Sequence, residues 1–300
     1  MKRLILDWVA NPRAFRIEFC FLPFRMAIVG LERFQEKMNL NWLGIISIIL
    51  ALAAFFVTFR SAKKLPTKAK IFLTFVAMIA ALPAASFSVY YAHVIPEVSW
   101  YYELRSIAGS EFLMGFVGIA GGMVATLLPR IMLTLPLLGV VVFGIAPIIK
   151  PLIGPIPCGS FQEQWDGVVC LQSTPSTCGA ASTATILKYF GENVTEAAIA
   201  TEAHSYSGGT EAWYLARAFR SRGYDAHFSF RSGFTPEDGL PAIVGVMMGS
   251  AGHFIAIIEK NSDKYFIGDP LRGREVLSRT ELERRYKFTG FHMRIKRRGE

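Results

Sequence analysis

The sequence is poor in charge. Of 300 residues only 18% are Asp, Glu, Lys or Arg, against 52% hydrophobic, where water-soluble domains carry about 25% charged residues. That composition excludes a disordered chain and does not suit a wholly soluble one. Cysteine is scarce as well. Four residues are too few for a disulfide scaffold, and no Cys-x-x-Cys pair or Cys/His cluster has zinc-site spacing, so neither a structural metal nor a cofactor is expected. His204, His227 and His292 stand apart from one another and read as structural or surface side chains. No Gly-x-x-x-x-Gly-Lys-[Ser/Thr] phosphate loop occurs, so ATP-driven transport by this chain is not expected. Acidic residues are nearly missing from one half: residues 1–150 hold 15 basic and 7 acidic side chains, net +8, whereas residues 151–300 hold 17 and 16, net +1. The basic excess lies in short segments between long apolar runs, a membrane pattern rather than a nucleic-acid-binding one.

Four apolar stretches are long enough to cross a hydrocarbon core of about 30 Å, which takes about 20 helical residues. They are 42–59, 71–94, 112–129 and 131–149, within an all-α transmembrane domain over 42–150. None contains Asp, Glu, Lys or Arg, so no ion or proton pathway is visible inside the membrane. Pro129-Arg130 separates the last two as a tight helical hairpin. Gly118 and Gly122 form a small-xxx-small face for close helix packing. The loop 60–70 has five positive charges in eleven residues, whereas Ile95 to Glu111 carries Glu97, Glu103 and Glu111 against Arg105 alone. The first loop is therefore expected in the cytoplasm and both termini outside, although the seven Lys/Arg of residues 1–41 oppose that orientation. The expected location is the cell membrane, multi-pass, with the second half of the chain on the extracytoplasmic face. Residues 1–41 are no signal peptide, since Asp7, Asn11, Pro12 and Arg13 interrupt any apolar core. Phe15 to Phe34 reads as an interfacial amphipathic segment.

After Lys150, the Pro151, Gly154, Pro155 and Pro157 linker leads into a mixed α and β domain over 151–300. Helices are expected at Thr177–Phe190, stopped by Gly191, at Thr195–His204, and at Thr210–Arg222, stopped by Gly223. Strands follow at Pro241–Met248, His253–Lys260 and Lys264–Gly268, the last two forming a hairpin through Asn261-Ser262-Asp263. A short helix at Thr280–Tyr286 and a strand at Lys287–Ile295 complete the domain.

Cys178 lies at the expected start of the first helix, followed by Gly-Ala-Ala-Ser. Free backbone N–H groups and the positive end of the helix dipole favour a thiolate there. His253 is the candidate base, and Asp269, in Ile-Gly-Asp-Pro at the end of the next strand, would fix its tautomer. Gln172, six residues before the cysteine, could support an oxyanion together with the Cys178 backbone N–H.

Read together as Gln172-x5-Cys178-Gly-Ala, Gly252-His253-Phe and Asp269-Pro, these residues resemble the bacteriocin-processing, double-glycine cysteine peptidases. These are papain-like domains found at the N-terminus of peptide-exporting ABC transporters. The resemblance covers about Cys170 to Arg272. It implies an α+β papain-like fold, with the nucleophile at a helix N-terminus and an antiparallel sheet carrying His and Asp. It also implies catalytic roles for Cys178 as nucleophile, His253 as base, Asp269 as orienting group and Gln172 in the oxyanion hole. Thr177 stands where the family usually has an acidic residue, and the exporter's other parts do not occur. In the exporters the peptidase removes leaders ending in Gly-Gly on the cytoplasmic side. The expected function is a membrane-anchored cysteine peptidase acting on a peptide or protein, with a separate transporter or membrane subunit as a candidate partner. Two alternatives stay open: an acyltransferase using the same triad, and a non-catalytic protein that binds leader peptides. Cys158 and Cys170 frame the start of the domain. On an oxidising face they pair; otherwise both remain thiols, one packed against the Cys178 helix.

Overall fold

The structure, a computed structural model, describes residues 41–299. The amphipathic segment expected at Phe15 to Phe34 lies outside the described residues. Helices α1 (Trp42–Ala62) and α2 (Thr67–Tyr91) are both long and apolar enough to cross a membrane. At 1.5 Å per residue, α1 is about 31 Å long. Its start is capped by Asn41, whose side-chain oxygen accepts from the Gly44 N–H at 3.0 Å. Along both helices large apolar side chains face outward, Val57 at 64% and Phe72 at 65% exposure among them.

The third apolar stretch departs from expectation. A seven-residue helix α3 (Ser99–Arg105) meets Gly109, whose positive φ of 85° breaks the chain direction. A 3-10 turn at Ser110–Leu113 then leads into α4 (Met114–Ala125), and the two arms are bent by 103°. With 12 residues α4 reaches about 18 Å, short of the roughly 30 Å hydrocarbon core. The physical reason is local: the Gly109 turn fixes its start, and it ends ahead of Pro129. Helix α5 (Thr134–Ile153) has 20 residues and carries Lys150 in its last turn. Gly118 and Gly122 do make the close packing expected of them. A Cβ on Gly118 would lie 2.0 Å from the Ala51 carbonyl oxygen, and one on Gly122 2.6 Å from that of Phe55, so only glycine lets α4 lie this close to α1.

The second half follows with a small antiparallel hairpin, β1 (Gln164–Asp166) and β2 (Val169–Leu171), which the sequence reading did not contain. Three helices come next: α6 (Cys178–Tyr189), α7 (Glu196–Glu202) and α8 (Ala212–Arg220). Gly191 and Gly223, with φ of 92° and 83°, end the first and last of these in the left-handed region. A six-stranded antiparallel sheet closes the domain, built from β3 (Tyr224–Phe230), β4 (Ala242–Met248), β5 (Ala251–Asn261), β6 (Lys264–Asp269), β7 (Gly273–Ser278) and β8 (Lys287–Arg297). Its order is β3-β8-β4-β5-β6-β7, which puts the last strand in chain order between β3 and β4. Asn261 pairs with Lys264 across the expected turn. Helix α9 (Arg279–Arg285) starts with a capping box between Ser278 and Glu281.

The two halves meet at one end of the helices. Asn41 donates from Nδ2 to the Tyr214 hydroxyl at 2.9 Å, and Lys150 Nζ donates to Glu211 Oε1 at 2.7 Å. Between them lies a buried ion cluster. Glu111 Oε1 is 3.3 Å from Arg105 Nη1 and 2.8 Å from Arg217 Nη1, and Arg217 also donates to the Arg105 carbonyl. Burial works against the Glu111 charge, but the two guanidiniums outweigh it and hold the carboxyl below its ordinary value. The basic segment around Lys63 and Lys64 follows the far end of α1, away from this junction.

Candidate active site

Cys178 is the first residue of α6, whose residues from Cys178 to Leu187 are all buried. Such a helix must be made of small residues. A Cβ on Gly179 would lie 2.9 Å from Leu215 Cδ1 and 3.2 Å from Phe254 Cδ2. Ser182 Oγ donates to the Phe254 carbonyl at 3.1 Å, which pins α6 to β5 one residue from His253.

His253 sits near the start of β5 and is buried. Its Nε2 is 2.9 Å from Asp269 Oδ1, so Nδ1 is the ring nitrogen not engaged by the carboxylate, and the ring lines the same cleft as Cys178. Burial disfavours the imidazolium, yet the bonds to Asp269 and Cys178 outweigh it and raise His253 to about 9. Asp269 is fully buried at the end of β6. Burial favours its neutral form, but donation from His253, the Leu271 N–H and Tyr286 holds the carboxyl below the usual range.

Gln172 is placed differently. Its backbone N–H donates to the Pro270 carbonyl at 2.9 Å, beside Asp269, and its side-chain Nε2 donates to the Thr174 carbonyl at 2.7 Å. The second N–H of that amide is left for another acceptor. Of the four residues, Cys178 and His253 line one cleft and His253 is bonded to Asp269, whereas Gln172 lies in the loop leading to α6.

Two features were missed. Tyr286 lies at the junction of α9 and β8, with its hydroxyl 2.8 Å from Asp269 Oδ2 and 2.7 Å from Glu275 Oε2. Nothing in its sequence neighbourhood marks it. The second is the cleft beside Cys178, about 320 Å³, whose wall includes His93, Glu97 and Tyr102 from the helical half. His93 lies 3.5 Å from Glu97 and 3.6 Å from Glu211. Hydrogen bonds to Glu211 and Glu97 outweigh burial and raise it to about 9. The Cys158–Cys170 disulfide is not formed: Cys170 is a buried free thiol on β2, and burial, with Glu196 and Glu163 nearby, pushes it up to about 12.

Comparison with known proteins places this geometry. Residues 161–299 match the model of the peptidase C39 family. A protein of Methanothermobacter thermautotrophicus, itself uncharacterised, is 33% identical over 128 residues, which are 42% of this chain and 85% of that protein. The chain belongs to the peptidase C39 family. It is accordingly a cysteine peptidase with the papain-like C39 fold, preceded by an apolar helical region. Among solved structures, the C39 domain is similar to the peptidase domain of Streptococcus ComA, a bifunctional ABC transporter of a quorum-sensing pathway. The two are 21% identical with a TM-score of 0.37, covering 43% of this chain and 96% of that one. It is also similar to a double-glycine-motif protease from an AMS/PCAT transporter, at 23% identity and TM-score 0.37, covering 45% and 92%.

Proposed function

We propose that the protein is a membrane-anchored peptidase that cuts a peptide or protein at the bilayer surface through Cys178, His253 and Asp269. An imidazole bonded to a buried carboxylate in the cleft that Cys178 lines carries this reading. His253 Nδ1 takes the Sγ–H proton, and the thiolate attacks the scissile carbonyl to give a tetrahedral oxyanion. The Cys178 backbone N–H, in the first turn of α6, and the Gln172 side-chain amide are the candidate donors to that oxyanion. The imidazolium then protonates the leaving amine. Water, deprotonated by the same nitrogen, releases the acyl-enzyme as a carboxylic acid and restores the thiol. Asp269, held by Leu271 and Tyr286, keeps Nε2 protonated throughout.

The helical region anchors the chain, with α1 and α2 crossing the bilayer. The basic 60–70 loop and the C39 domain lie at opposite ends of α1, which supports a cytoplasmic loop and an outward-facing peptidase. The test treats intact cells with a membrane-impermeant alkylating reagent near pH 6, where an ordinary thiol of pKa about 8.5 is under about 1% thiolate. Labelling of Cys178 in intact cells that disappears in His253→Ala is the expected result. Labelling only after permeabilisation reverses the orientation, and labelling indifferent to His253 removes the proposed base.

A further inference from the structure

The cleft beside Cys178 is larger than a glycine needs. It measures about 320 Å³, within the range of pockets that hold a small ligand. One wall is aromatic and begins next to the nucleophile, since Phe254 packs where a side chain on Gly179 would fall. Phe254 packs against Phe291 at 5.1 Å between ring centroids, and Phe291 against Tyr102 of the helical half at 6.1 Å, both pairs tilted. Across the cleft, Gly209 and Gly252 have open space where a Cβ would be, so among the described residues none fills the volume.

Charge does not select the occupant. The acidic groups at the cleft are Glu97 and Glu211. His93 lies between them, and Lys150 bonds Glu211 at 2.7 Å, so both carboxylates already have cationic partners. A charged substrate side chain would find no unpaired counter-charge, whereas an apolar one would cover the aromatic wall.

We infer that this cleft is a subsite for one large apolar side chain of the substrate next to the scissile bond, built jointly by Tyr102 of the helical region and by Phe254 and Phe291 of the C39 domain. The inference rests on the peptidase reading above and adds to it a substrate class and a recognition role for the helical half. It also separates this enzyme's preference from a pair of glycines, which would leave the cleft empty.

The test uses the full chain in detergent micelles, with peptides varied at each position near the scissile bond, products identified by mass, and Cys178 alkylation followed in parallel. At one position Phe or Leu is expected to exceed Gly in kcat/KM by about ten- to a hundred-fold, the range set by burying one large apolar side chain. Thr289→Phe, an exposed cleft position outside the catalytic chain, is expected to remove most of that preference while leaving the Gly peptide within about two-fold. Cleavage with no preference for a large residue at any position overturns the subsite and leaves the peptidase reading standing. Alkylation of Cys178 without cleavage of any peptide overturns the peptidase reading and the subsite with it. The wild-type profile alone decides if Thr289→Phe does not fold.

Discussion

The helical region and the C39 domain solve opposite solvent problems with similar side chains. On α1 and α2 many large apolar residues point outward and several alanines point inward: Ile49, Phe72, Phe75 and Leu82 are exposed, whereas Ala51, Ala77, Ala81 and Ala84 are buried, together with Phe55 and Phe87. In the C39 domain Trp213, Phe219, Ile255 and Ile267 are buried, and only Tyr189, Leu271 and Val276 are exposed among its large apolar residues. Small residues inside and large ones outside fit a lipid-facing bundle, where close backbone approach rather than hydrophobic burial holds helices together. Large residues inside fit water. The difference teaches where polar chemistry can be kept: the Arg105, Glu111 and Arg217 cluster sits where the two regions join, and the Asp269 carboxylate sits in the sheet, not among the apolar faces of α1 and α2.

The largest effect expected from breaking this comparison is on chemistry, which belongs to one region alone. Cys178→Ala should lower peptide cleavage by about 10⁴-fold or more, with unchanged unfolding, by single-turnover kinetics and calorimetry. At the junction, Glu111→Ala leaves two guanidiniums without their carboxylate. It should cost about 3–5 kcal/mol in thermal or denaturant unfolding, because removing one partner exposes the desolvation of the others. Midway along α2, Ile79→Asp on the exposed face should reduce membrane insertion by about 2.5–3.5 kcal/mol, read as the membrane-bound fraction. Val276→Asp on the C39 surface should leave it unchanged. The smallest effect is on pH dependence. His253 and His93 both lie at about 9 in the folded chain against an ordinary 6.5. Their contribution to stability is therefore fully present below about pH 6.5 and lost as pH rises through about 9. Melting temperature measured across that window should fall less steeply in His93→Gln, and less steeply still when His253→Gln is added.

The parts of this architecture that local chemistry decides were legible in the sequence. Gly191 and Gly223 end their helices in the left-handed region as their positions implied, and the Asn261-Ser262-Asp263 turn joins β5 to β6. Cys178, His253 and Asp269 stood out as candidates because each sits at or near the end of a regular element, where side chains can converge. Strand β3 was missed although Tyr224, Ala226 and Phe228 alternate, because seven residues between a helix and a loop carry little periodic signal. β7 is an edge strand with exposed Arg274 and Val276, and has no alternation to read. The 12-residue length of α4 is decided by the turn at Gly109 and not by the apolar run that contains it. The cleft wall of His93, Glu97 and Tyr102, and the hydroxyl of Tyr286, reach the site only through the packing of distant elements, which no local pattern records.

The position of β8 also has a consequence for the enzyme's birth on the ribosome. β3 and β4 are neighbours in sequence, yet neither can join the other's sheet until residues 287–297 emerge to lie between them. Tyr286, which holds Asp269, comes just ahead of that strand. A chain halted before Lys287 would already carry Cys178, His253, Asp269 and Tyr286, but not the strand that joins β3 to the rest of the sheet. The six-stranded sheet is thus complete only once its most distant pairing in sequence, β3 with β8, has formed, the kind of long-range contact that closes late.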